Sequence, residues 1–163
     1  MVFVSTIIWW VMKQSNRKLW DLWGQTNALY TQWCSEHNVN YYRYLILYVL
    51  DDNESITQKQ ISDSTGLSRQ TVSSVIRSLK AEGIITLHSA TKDRREKYIR
   101  MTDEGKFYAV NVLKKLYEIE SRVFDMIGEE RIKQMLDEVS LFNTVFEKEA
   151  EKMKNEQQNE QQE

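Results

Sequence analysis

Six side chains between positions 69 and 77 have the types and spacing to do specific chemistry: Arg69, Gln70, Thr71, Ser73, Ser74 and Arg77. Val72, Val75, Ile76 and Leu79 interleave with them at helical spacing. One helix would therefore turn the apolar set inward and leave the polar set facing out. A guanidinium can donate two parallel hydrogen bonds, and a carboxamide can donate and accept at once. Those are the patterns that distinguish guanine and adenine edges in a DNA major groove. Short Ser and Thr hydroxyls keep such a face low and bond bases or phosphates. The first N–H groups of the same helix attract phosphate. Further along, Lys92, Arg94 and Arg95 form a second basic cluster, suited to a narrow minor groove.

The flanking residues predict elements that would present both clusters. Thr57 is a helix N-cap ahead of Gln58–Ser64, and Gly66 closes that short helix in the left-handed conformation. Leu67 plugs the core. Ser68 caps a second helix running from Arg69 to about Glu82 and ending at Gly83. Thr57 and Ser68 are counted with the candidate DNA contacts. Ile84–His88 and Lys97–Met101 alternate as two strands, with the basic cluster at the tip between them. The order helix, turn, helix, strand, basic tip, strand is more specific than any part alone.

Around this middle the chain is helical. Leu19, Leu22, Trp23, Thr26, Tyr30 and Trp33 make a stripe on a helix from about Ser15 to Glu36. Tyr41–Leu50 is apolar almost all round and should be central. Thr102 caps a helix from Asp103 to Ile127, with Phe107, Val110, Leu113, Tyr117 and Phe124 on one face. Gly128 separates it from a last helix, Glu129 to about Lys154. No proline interrupts any of these. Five regions follow: 1–14, 15–53, 54–102, 103–154 and 155–163. The first is an apolar arm, or residues ahead of a true start at Met12. The second is expected to serve dimerisation and lobe core and the fourth dimerisation, the third is the DNA-binding lobe, and the Glu/Gln/Asn end is a disordered tail. Residues 1–12 are too few to span a bilayer and lack the basic start of a secretory leader.

Net charge is −2, which alone argues against nucleic acid. Its distribution reverses that. Residues 54–102 carry 9 basic and 5 acidic side chains, net +4, whereas residues 103–163 carry 9 and 15, net −6. Only the contacting surface needs to meet phosphate.

The run Asp93-Arg94-Arg95-Glu96-Lys97-Tyr98-Ile99-Arg100-Met101-Thr102-Asp103-Glu104-Gly105 resembles the D-x-R-x-x-x-x-x-L-T-x-x-G wing signature of the multiple-antibiotic-resistance repressor (MarR) family. Met101 stands where Leu is usual. Gly66–Val72 and Leu79–Ile85 resemble that family's recognition helix and its exit, and the likeness covers about residues 15 to 150. The resemblance implies a mainly α fold with a small β-hairpin wing, a winged helix-turn-helix. It also implies an intertwined homodimer through the N- and C-terminal helices, Asp93 and Arg95 as a wing-shaping pair, and repression as the output. Small aromatic or amphipathic effectors act on members of the family between dimer base and lobe. The candidate pocket here is Trp20, Trp23, Tyr30, Trp33, Tyr44 and Tyr48, for which dimer core is the plainer assignment.

The expected function is a cytoplasmic, sequence-specific double-stranded-DNA-binding regulator of pseudo-palindromic operators. A winged-helix protein-interaction module that does not read DNA is the alternative, and the acidic last third favours it. No phosphate loop, nucleophile elbow or H-E-x-x-H pair occurs, so no enzyme, cofactor or membrane partner is expected. Cys34 has only Glu36 and His37 as near titratable neighbours and reads as a passive thiol. Cys34 and His37 share a helix face, but two histidines in the chain do not make a dedicated metal site.

Overall fold

The computed structural model describes residues 2–89 and 97–160, with side chains from 13 to 89 and from 97 to 159. The elements are α1 (Val2–Glu36), α2 (Tyr41–Asp51), β1 (Ile56–Thr57), α3 (Gln58–Thr65), α4 (Arg69–Ala81), β2 (Ile85–Ser89), β3 (Lys97–Met101), α5 (Asp103–Ile127) and α6 (Glu129–Glu160). Two compact units divide at Lys114 and Lys115, so α5 contributes to both.

In the first unit α1 stops because Asn38 takes a φ of +56°, which Asn tolerates better than most residues. The Val39 N–H then donates back to the Cys34 carbonyl at 2.8 Å. Asn40 restarts the helix, its side chain accepting from the Arg43 N–H at 3.1 Å. The sequence places α2 at the centre, and there it packs against α1, α3 and α4, burying Tyr44, Ile46, Leu47 and Leu50.

The strands form one antiparallel sheet in the order β1-β3-β2. Pairing of Leu87 with Ile99 and Ile85 with Met101 sets the hairpin register. On the other edge β1 pairs Ile56 with Ile99. Ile99 is thus flanked on both sides and is fully buried. The two-residue β1 is too short to leave an alternating pattern in the sequence.

Two boundaries and one face differ from expectation. Helix α1 begins at Val2 rather than near Ser15, since no proline or glycine precedes Gly24 to stop it. Helix α6 continues to Glu160, so most of the expected disordered tail is helical. Glu, Gln and Lys are good helix formers, and nothing there breaks the backbone. The buried α5 face in the first unit is Gly105, Ala109 and Leu113, of which only Leu113 belongs to the expected stripe. Small residues allow close packing there, which leaves Phe107 and Val110 exposed.

Both units keep large apolar side chains in solvent. Trp20, Leu22 and Leu29 are exposed on α1. In the second unit Leu136, Leu141, Phe142 and Phe146 are exposed on α6, where Gly128, with a φ of +90°, marks the break from α5.

Candidate nucleic-acid interface

The turn between α3 and α4 is built by reciprocal local bonds. The Gln60 N–H donates to Thr57 Oγ1 at 3.2 Å, while the Thr57 N–H donates to Gln60 Oε1 at 2.9 Å, closing a capping box. Gly66 terminates α3 with a φ of +69°, its N–H bonded to the Ser62 carbonyl at 3.0 Å. The Ser62 hydroxyl crosses the turn to the Leu67 carbonyl at 2.6 Å. Ser68 then starts α4 by accepting from the Thr71 N–H at 3.1 Å.

Helix α4 divides as its periodicity requires. Val72, Ile76 and Leu79 are buried against α2, α3 and β2. Arg69, Gln70, Ser74 and Arg77 are exposed, and Thr71 and Ser73 half-buried beside them. Ser68 is exposed at the helix start. Val75, expected in the core, is half-buried at the flank. Thr57 requires a correction. It is 5% exposed, with its hydroxyl committed to Gln60, so it orients α3 and presents no contact surface. Lys92, Asp93, Arg94 and Arg95 lie outside the described residues.

Beside the exposed face of α4 lies a groove of about 490 Å³, reaching from Gln70, Thr71, Ser74 and Ser78 to Asn40 and Tyr42 at the start of α2. Sequence reading missed this flank, because nothing local connects positions 40–42 to positions 70–78. Arg43 stands in the same groove but points into a network. Its Nη1 and Nη2 donate to the two oxygens of Glu82 at 2.7 and 2.6 Å, and its Nε to the Tyr108 hydroxyl at 3.1 Å. The Tyr108 ring stands 5.0 Å from the guanidinium carbon. Ser78 donates to the same carboxylate at 2.7 Å. Hydrogen bonds from Arg43 and then Ser78 hold the Glu82 carboxyl down at about 2. The Glu82 bond correspondingly pushes Arg43 up.

The six aromatic pocket candidates do not form one cluster. Trp20 and Trp23 meet edge to face at 5.6 Å. About two turns along α1, Tyr30 stacks on Tyr44 at 6.2 Å, and Tyr44 meets Tyr48 at 6.1 Å. Trp33 stacks on His37 at 4.1 Å, and its indole N–H is buried without a hydrogen-bond partner. Cys34 is buried, and burial pushes its thiol up. No three His, Cys, Asp or Glu side chains among the described residues could together hold a metal ion. No helix of the described residues is long and apolar enough to cross a membrane.

The MarR family model matches residues 37–96, from the end of α1 through the wing. Among characterised proteins, the organic hydroperoxide resistance transcriptional regulator of Bacillus subtilis is 25% identical over 97 residues, 58% of this chain and 66% of that protein. The HTH-type transcriptional regulator SarZ of Staphylococcus epidermidis is 24% identical over 126 residues, 76% of this chain and 82% of SarZ. Among solved structures, the MarR family regulator NMB1585 of Neisseria meningitidis superposes with a TM-score of 0.72 at 28% identity, covering 81% of this chain and 93% of that one. NadR in complex with 4-hydroxyphenylacetate shares the fold at a TM-score of 0.67 and 14% identity, over 78% and 90% of the two chains. Family model, relatives and superposition meet on the same helix-turn-helix that the capping bonds build, and over this part the chain is similar to the MarR family of winged helix-turn-helix transcription regulators.

Proposed function

We propose that this regulator is a cytoplasmic homodimer that represses transcription by binding a pseudo-palindromic duplex, with no enzymatic activity of its own. The single observation that carries the reading is the division of α4: a sealed apolar side, and an exposed side made of Arg69, Gln70, Ser74 and Arg77. Inserted in a major groove, that side offers bidentate donors and amide pairing to base edges. Lys92, Arg94 and Arg95 are assigned to the adjacent minor groove, with Asp93 and Arg95 shaping the wing. Residues 54–102 form the reading lobe, and the segments 15–53 and 103–154 serve dimerisation.

The exposed apolar side chains of α1 and α6 support a second copy as partner. Such surface is costly in water at about 25 cal/mol per Å² and is covered most simply by the same surface of another subunit. Two lobes would then address half-sites roughly 34–36 Å apart. A small aromatic effector that prefers the other spacing of the lobes would release the DNA. The Tyr30–Tyr44–Tyr48 cluster between α1 and α2 is the part of the expected pocket that supports this, and NadR, of the same fold, holds an aromatic acid.

Selecting bound duplexes from a random pool tests the reading directly. The expected result is an inverted repeat with centres one helical turn apart, whose preference at one base position of each half-site relaxes when Arg77 is changed to Ala. Enrichment of no sequence, or of one indifferent to Arg77→Ala, would overturn it.

A further inference from the structure

The network around Arg43 joins three elements that sequence keeps far apart. Arg43 belongs to the first turn of α2, Glu82 is the C-cap of α4, and Tyr108 lies on α5. The guanidinium is a planar fork, so its two bonds to Glu82 and the third to Tyr108 fix directions as well as distances. An exposed ion pair is worth little unless its geometry is bidentate and its partners are held. Here both conditions are met. The Arg43 side chain is 16% exposed, and Ser78 grips the carboxylate from one turn earlier on α4.

The N-terminal end of α4 is held by the Ser68 cap and the α3 turn. The Arg43 pair is the ion pair at its other end. From Tyr108, α5 continues as one helix to Ile127 and leaves the first unit at Lys114. We propose that Arg43 is a positioning residue: by clamping Glu82 and Tyr108 together it fixes the axis of the recognition helix against α5, and so sets which half-site spacing the protein reads. This rests on the assignment of α4 as the DNA-reading helix.

A rival account is that Arg43 merely neutralises Glu82, whose bare charge beside α4 would repel phosphate. The uncharged pair Arg43→Gln/Glu82→Gln separates the two, because it removes the clamp without leaving a charge. The assay measures dissociation constants of the full-length protein on the selected operator, and on versions with the half-site spacing changed by one base pair either way. Tyr108→Phe is included as a variant that removes one hydroxyl and spares the packing, and thermal unfolding checks that each protein is folded. The expected result is a loss of about tenfold on the parent operator for the double variant, with discrimination among the three spacings flattened. Tyr108→Phe should show a smaller change in the same sense. Recovery of wild-type affinity and spacing preference in the double variant would overturn positioning and leave charge compensation. If the double variant does not fold, Tyr108→Phe decides alone, unchanged discrimination counting against the clamp. Arg77→Ala in the same assay isolates the underlying assignment. If it binds like wild type, α4 is not the reader, and the clamp has nothing to position.

Discussion

A Cβ at Gly105 would collide with the backbone carbonyl of Ile84, with the Thr102 hydroxyl 3.2 Å away. The reason is that α5 starts directly against the exit of α4. The Thr102 N–H donates to that same Ile84 carbonyl at 3.0 Å. The Thr102 hydroxyl donates to the Gly83 carbonyl at 2.7 Å and accepts from the Gly105 N–H at 2.9 Å. The T-x-x-G end of the wing signature is therefore a close-packed joint, with Thr capping the helix and Gly leaving room for a carbonyl.

Gly105→Ala should destabilise the fold by about 1–3 kcal/mol, the usual cost of forcing an added methyl into a packed site. The gain in helix propensity, about 1 kcal/mol, offsets only part of a backbone clash. Urea unfolding with an unchanged slope would measure it. A variant as stable as wild type would show that α5 slides freely at this point.

What the sequence revealed about the fold followed how local each signal was. Thr57, Gly66, Ser68, Gly83 and Thr102 act through bonds within three or four residues or through one dihedral angle. The α3–α4 turn, the strands β2 and β3 and the span of α5 were legible for that reason. The Arg43–Glu82–Tyr108 network joins residues 39 and 65 positions apart, and no periodicity points to such a pairing. Thr57 misled for a related reason. A cap residue and a phosphate-binding Thr look alike until burial is known, and here the hydroxyl is sealed in the capping box. On α5 side-chain size is a poor guide to burial: Phe107 and Val110 of the expected stripe are exposed, whereas Gly105 and Ala109 are buried beside Leu113.

Arg77 and the wing should fail in different ways. Arg77→Ala removes a group from the centre of the exposed α4 face. Its expected cost is about 1–3 kcal/mol of operator affinity, with relaxed preference at one base position. Arg94→Ala with Arg95→Ala should weaken binding to all duplexes alike. It should also reduce the slope of log affinity against log salt by about 2, since each phosphate left without its arginine lowers the slope by about 0.9. Titrations at several salt concentrations separate the two patterns. A double wing variant with an unchanged salt slope would remove those arginines from the interface.

Cys34 should be a poor nucleophile at neutral pH. Burial raises its thiol above the ordinary value of 9.0, and the reactive species is the thiolate. A thiol reagent should label the native protein far more slowly than the urea-unfolded chain at pH 7.5. Linkage gives the sign of the pH effect. The folded protein holds this proton more tightly than the unfolded chain, so the contribution to stability is intact below pH 9 and is lost as pH rises through the folded value. Tyr41, raised by burial, then by Cys34 and Tyr42, works in the same direction. Cys34→Ala should therefore flatten part of the alkaline decline. Rapid labelling of the folded protein would contradict the buried placement.

Glu82 governs the opposite limb. Its carboxyl titrates near 2 in the folded state against an ordinary 4.5, held down by Arg43 and Ser78. The unfolded chain therefore takes up this proton first as pH falls. The stabilisation from the pair is fully present above about 4.5 and is lost progressively between 4.5 and 2. The carboxylate is nearly half exposed, so solvent screening keeps the effect modest. Glu82→Gln should lower stability at pH 7 and make it less dependent on pH across that acid window, with the two proteins converging toward pH 2. Chemical denaturation at pH 7, 4.5, 3.5 and 2.5 gives both curves. Parallel curves throughout the window would mean that the carboxylate is not held by Arg43 in solution, and the bidentate clamp at the end of α4 would have to be abandoned.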